Sequence, residues 1–144
     1  MKLFDVNVLI YAHRADQKHH DYYRQLVEEL VNGADSFGLS PLTAVGFLKI
    51  VTHPRFPNGP TPLPQAVSVI ESLTTFNHCQ WTLPGKRHWE LTRDLCTKCA
   101  CSGKNVADAQ HAAIAIEHAS ELVTRDTDFH RFVPHGLKLL MAEP

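Results

Sequence analysis

Short apolar runs alternate with longer amphipathic ones from one end of the chain to the other, and that alternation restricts the fold more than any other feature of the sequence. Leu3-Phe4-Asp5 reads as a buried strand that ends at Asp5 and turns directly into a helix, Val6-Asn7-Val8-Leu9-Ile10-Tyr11-Ala12. From Asp16 to Val31 the residues Tyr22, Tyr23, Leu26, Val27, Leu30 and Val31 recur at helical spacing, and Asn32-Gly33 stops the helix. Phe37–Ser40 predicts a strand, and Pro41 suits the first turn of a helix whose apolar face is Leu42, Val45, Leu48 and Val51. Five prolines and a glycine between 54 and 64 predict an excursion between helices, because neither flank is long enough to stand alone as a domain.

The second half repeats the pattern. A helix at 65–76 carries Ala66, Val67, Ile70 and Leu73, Gln80–Leu83 reads as a strand, and a helix with Trp89, Leu91 and Leu95 runs out near Gly103. Asn105 opens another, on which Val106, Ala109, Ala112, Ala113 and Ile116 make a small-residue face suited to close packing on a sheet. Glu121–Thr124 reads as a strand entering the polar turn Arg125-Asp126-Thr127-Asp128, and 137–140 as a final strand. Strands alternating with helices predict one α/β domain over residues 1–144, with a central, mainly parallel sheet flanked by helices.

A formal charge of −1 excludes a protein that coats nucleic acid through net positive charge, so any such contact is local. No run approaches the ~18 apolar residues of a membrane span, and the first residues reach charge too early for a secretory signal. Cys79, Cys96, Cys99 and Cys101 do not form the framework of a secreted disulfide protein. These features predict a cytoplasmic protein with reduced thiols and no membrane partner. Cys96 and Cys99 have zinc-like spacing, but the usual second ligand pair is absent.

Ligands of parallel α/β sheets gather outside the carboxyl ends of the strands. Asp5 and Asp126 stand at two such ends, and Asp108 in the first turn of the helix near Asn105. Clustered carboxylates repel one another unless a cation neutralises them, and hard oxygen donors suit Mg²⁺ or Mn²⁺. Each acid also has a local reading: Asp5 as a helix cap, Asp108 as a capping-box carboxylate, and Asp126 or Asp128 as an Asx turn. The two readings are compatible.

Three segments carry a resemblance. Leu3–Ala12, Asn105–Ala115 and Leu122–Phe129 resemble the signature blocks of PIN-domain proteins, above all the VapC toxins of bacterial toxin–antitoxin pairs, in order and spacing along essentially the whole chain. The resemblance implies a metal-dependent endoribonuclease of α/β/α fold, homodimeric, using Mg²⁺ or in its place Mn²⁺, and held inactive by an antitoxin. By position it implies Asp5, Asp108 and Asp126 as catalytic acids and metal ligands, Asp128 as a further ligand, and Asn7 and Thr124 as supporting residues. The family's acid in a Thr-x-x-Glu-like block is missing, because Gly46 stands where Thr43-Ala44-Val45 leads to it. That departure weakens the case for two tightly bound metals and motivates the alternative of an RNA- or antitoxin-binding module without efficient cleavage. Glu117 is too far along the helix to substitute, and Asp94 is a more open possibility. A phosphohydrolase using Asp5 as nucleophile ranks last, because such a site wants a second Asp where Asn7 stands.

RNA needs local positive charge. Lys49, His53, Arg55, Lys86, Arg87, Lys104, Arg125 and Arg131 are available, with Arg55 and Arg125 the favoured phosphate contacts. Trp81 and Trp89 are expected in the core rather than stacked on bases, and His111 lies one turn beyond Asp108.

Overall fold

The computed structural model describes residues 1–144. Five strands form one sheet: β1 (Lys2–Phe4), β2 (Phe37–Leu39), β3 (Cys79–Trp81), β4 (Glu121–Thr124) and β5 (Lys138–Met141). Their order is β3-β2-β1-β4-β5 and every pairing is parallel, so the sheet is wholly rather than mainly parallel. The chain moves outward from β1 to β3 and then returns to the other side of β1. The strand order therefore reverses between β1 and β4, and a crevice opens there at the carboxyl ends.

Alternation along the strands builds two cores. Phe4 and Val123 face a cluster formed with helices α1 (Val6–His13), α2 (His20–Asn32), α3 (Pro41–Val51) and α4 (Leu63–Thr74), while Leu3 and Leu122 face α5 (His88–Lys98), α6 (Lys104–Glu117) and a 3₁₀ run at Thr127–His135. Gly38 lies between β1 and β3, where a Cβ would stand 2.1 Å from Leu3 Cδ2 and 2.8 Å from Thr82 Cγ2. The small-residue face of α6 packs as expected, with Ala109, Ala112 and Ala113 fully buried, although Val106 is 40% exposed.

Several sequence expectations shift. The second helix starts at His20 rather than Asp16, because residues 14–19 turn and His19 adopts a left-handed φ of 62°. On α3 the buried stripe is Thr43, Ala44, Phe47 and Val51, which leaves Val45 63% exposed instead of in the core. On α5 the buried residues are Thr92 and Leu95, so Trp89 is 70% exposed; Trp81, on the edge strand β3, is 47% exposed. Neither tryptophan is a core residue.

The proline-rich segment is tied down. Arg14, just past α1, donates to the carbonyls of Gly59 (2.8 Å) and Pro57 (3.3 Å), pairs with Asp16 at 2.8 Å, and lies 4.5 Å above the Phe56 ring centre. Thr61 N–H donates to the Val51 carbonyl at 2.7 Å, closing the segment back onto α3. No helix is long and apolar enough to cross a membrane.

Candidate metal centre

β1 delivers Asp5 into the crevice. Its backbone N–H donates to the Val123 carbonyl at 2.9 Å, extending the sheet pairing by one residue. Its side chain caps α1 by accepting from Val6 N–H at 2.7 Å, so the capping reading holds along with placement in the crevice. The other carboxylate oxygen accepts from the Thr124 hydroxyl at 2.6 Å. That hydroxyl in turn accepts from Asp126 N–H at 3.0 Å, so one buried side chain at the end of β4 ties the Asp5 carboxylate to the Asp126 backbone. Asn7 lies alongside, 3.5 Å from the Thr124 hydroxyl and from Arg125 N–H.

Asp126 caps the 3₁₀ run, its Oδ1 accepting from Asp128 N–H at 2.9 Å, which confirms the Asx-turn reading and leaves Oδ2 for the crevice. Asp108 is not a capping residue: α6 begins at Lys104 after Gly103, without a side-chain cap. In its hydrogen-bond-satisfying orientation the Asn105 amide instead donates to Asp108 Oδ2 at 3.3 Å and accepts from Arg131 at 2.9 Å.

Asp108, Asp126 and Asp128 each bring an oxygen within 4.8 Å of the other two, and no other trio of potential ligand residues converges this closely. Three hard oxygen donors fit Mg²⁺ or Mn²⁺. A cation does stand there: the Lys104 ammonium, 2.9 Å from Asp126, 3.4 Å from Asp108 and 3.5 Å from Asp128. Asp5 lines a cavity of about 310 Å³ with Asp108 and Asp126, but not with Asp128, and does not join the trio.

Charge is unevenly borne. Burial pushes the Asp5 carboxyl above its ordinary range, with the Thr124 hydrogen bond opposing. Burial likewise raises Asp108 against the pull of Lys104. Burial also acts upward on Asp126, but Asp128 N–H and Lys104 outweigh it and hold that carboxyl below the usual range. His111 lines the cavity near Asp5 and Asp108, and burial lowers its pKa despite those carboxylates. Its place three residues after Asp108 was the signal for it, as the i, i+4 spacing to Asp108 was for Lys104.

Gly46 also lines the cavity, and its position explains the missing acid. A Cβ there would lie 2.9 Å from Val6 Cγ2, so α1 and α3 approach too closely for a side chain unless Val6 gives way. Asp94, the possible substitute, pairs with Arg93 and does not reach the site, and Glu117, as expected, is engaged elsewhere, accepting from the Gly85 and Arg87 amides at 2.7 and 2.9 Å. Lys49 lines the cavity, and with Ile50 it also lines an adjoining hollow bordered by His53, Arg55 and Phe56. Arg125 lies 4.6 Å above the Tyr11 ring centre. The four cysteines are free thiols.

An all-parallel sheet with acids from three elements gathered over its switch point defines a class of small α/β proteins with an acidic centre. The chain belongs to the PIN domain family, whose model matches residues 2–133. It is 37% identical over 132 residues to VapC ribonuclease Mb2897 of Mycobacterium bovis, covering 92% of this chain and 90% of that protein. It is 38% identical to ribonuclease VapC25 of Mycobacterium tuberculosis, covering 92% and 93%. Among solved structures, VapBC2 from Rickettsia felis bound to a promoter DNA fragment matches with a TM-score of 0.70 at 19% identity, covering 99% of this chain and 98% of that one. Mycobacterium tuberculosis VapC20, a sarcin-ricin-loop-cleaving toxin, matches at 0.68 with 9% identity, covering 90% and 93%.

Two outcomes follow from this geometry. Gly46→Glu lowers stability by about 1 kcal/mol or more, the cost of overpacking against a stiff β-branched side chain; Val6→Ala restores most of it, and urea denaturation of the four proteins of the cycle reads a favourable coupling. No coupling between positions 6 and 46 would contradict the packing account. Because burial raises the Asp5 pKa in the metal-free fold, its ionisation costs stability that builds up as pH rises from the ordinary carboxylate pKa through the raised one. Asp5→Asn, which cannot ionise, is therefore expected to gain stability relative to the metal-free wild type as pH rises through that range. The advantage shrinks as pH falls through the Asp5 pKa, as thermal unfolding in EDTA at several pH values measures.

Proposed function

We propose that this chain is a metal-dependent endoribonuclease of the VapC toxin type, cleaving RNA at the Asp108, Asp126 and Asp128 cluster with Asp5 behind it. The observation that carries this reading is the convergence of those carboxylates over the sheet's switch point, in a chain 37–38% identical to VapC ribonucleases. Mg²⁺ is the proposed ion and Mn²⁺ its substitute, held by Asp108, Asp126 and Asp128, with Asp5 placed to join them. When bound, such an ion supplies an activated water and neutralises charge on the phosphodiester.

The chain's own residues supply the rest. Thr124 fixes the Asp5 carboxylate and the backbone of Asp126, and Asn7 packs against that hydroxyl. Lys49, at the junction of the cavity and the neighbouring hollow, leads from the carboxylates to His53 and Arg55, a basic path for phosphates. Arg125 adds a charge one residue from Asp126, steadied by Tyr11. Val6 takes the space a side chain at position 46 would need, and the carboxylate trio forms without an acid there.

The partner is a cognate VapB-type antitoxin, as in the VapBC2 assembly and in the toxin–antitoxin complex from Klebsiella pneumoniae that share this fold. The protein acts in the cytoplasm. Val45 and Ile50 on α3 and Leu63 and Val67 on α4 are exposed apolar residues suited to a homodimer interface. Sedimentation at micromolar concentration is expected to show two chains per particle, and Val45→Glu to shift it toward one; a monomeric wild type rules the dimer out.

The deciding assay incubates antitoxin-free protein with total RNA in Mg²⁺, Mn²⁺ or EDTA. Discrete fragments are expected with either ion, lost in EDTA and reduced at least 100-fold in Asp108→Ala and Asp5→Ala. Metal binding by folded wild type without cleavage would instead establish the non-catalytic module.

A further inference from the structure

Lys104 is the first residue of α6, where the helix dipole disfavours a cation. Gly103, at φ 57° and ψ −127°, gives the chain a turn that side chains disfavour and sets Lys104 at the start of the helix. From there the ammonium reaches the Oδ2 atoms of Asp108, Asp126 and Asp128 together, at 3.4, 2.9 and 3.5 Å, while its side chain remains 63% exposed. Those carboxylates come from two separate segments, α6 and the turn after β4, and Lys104 is the one side chain that ion-pairs with all three.

We propose that Lys104 is a built-in competitor for the divalent ion. In the metal-free chain its ammonium is the counter-charge of the three carboxylates, and an entering ion must displace it. The inference rests on the metal-site reading above. A tethered cation acts at an effective concentration of order millimolar, so it weakens metal binding without abolishing it. Its exposure leaves it a path outward, and once displaced it stands beside the carboxylates as a charge free for an RNA phosphate. Metal entry and phosphate binding then favour each other, since each draws on one side of the same ion pairs.

The test is Mn²⁺ binding to purified protein without RNA, read as loss of the free-ion signal in electron paramagnetic resonance, for wild type, Lys104→Met and Lys104→Arg. Lys104→Met keeps the apolar stem and removes the charge; it is expected to bind Mn²⁺ at least fivefold more tightly. Lys104→Arg, which keeps a tethered cation, is expected to stay within twofold of wild type. Thermal unfolding in EDTA should place Lys104→Met below wild type, with saturating Mn²⁺ removing the difference. Equal or weaker Mn²⁺ binding by folded Lys104→Met overturns the proposal while leaving the metal site standing. Absence of Mn²⁺ binding by wild type and both variants overturns the metal site itself, and the proposal with it.

Discussion

The Thr124 hydroxyl joins the ends of the two strands on which everything else depends. It donates to Asp5 at the end of β1 and accepts from Asp126 N–H just past β4, across the only place where the strand order reverses. A hydroxyl can do both because it carries one donor and two acceptor lone pairs. Its full burial keeps water from competing for either bond. The sheet thus delivers the acids as a consequence of its topology, and a single short side chain holds the Asp5 carboxylate and the backbone of Asp126.

The strand-to-helix alternation was legible because burial on both faces of a parallel sheet demands continuous apolar runs, and the crossovers demand helices between them. Asp5 and Asp126 were legible for the same reason, as acids placed just past strands, whereas Asp108 lies one turn into α6 rather than in its first turn and stood out through the resemblance of its segment. What failed was the rotation of individual helices. Val45 and Trp89 fit a helical apolar spacing as well as their buried neighbours do, and only tertiary packing decides that Phe47 and Leu95 turn inward. The relation of Lys104 to Asp126 and Asp128 was hidden because it crosses more than twenty residues of sequence, whereas its pairing with Asp108 is local.

Gly46 shows that a missing functional residue can be a packing statement. The acid expected there is absent where α1 and α3 meet, with Val6 occupying the space its Cβ would need. Val6 is also the residue whose N–H is capped by Asp5, so the helix that closes over Gly46 is the one the first carboxylate starts. The distribution of acids and the fit of two helices are therefore one constraint, and an acid restored at position 46 needs a compensating change at position 6.

Arg14 has an effect well beyond its own turn. By holding the carbonyls of Pro57 and Gly59 and covering Phe56, it fixes the excursion that carries His53 and Arg55 beside the cavity. A loop rich in proline and already anchored has little conformational freedom left to lose when something docks against it. Ligands that engage this edge meet a surface ordered during folding, so their affinity reflects contacts made rather than disorder overcome.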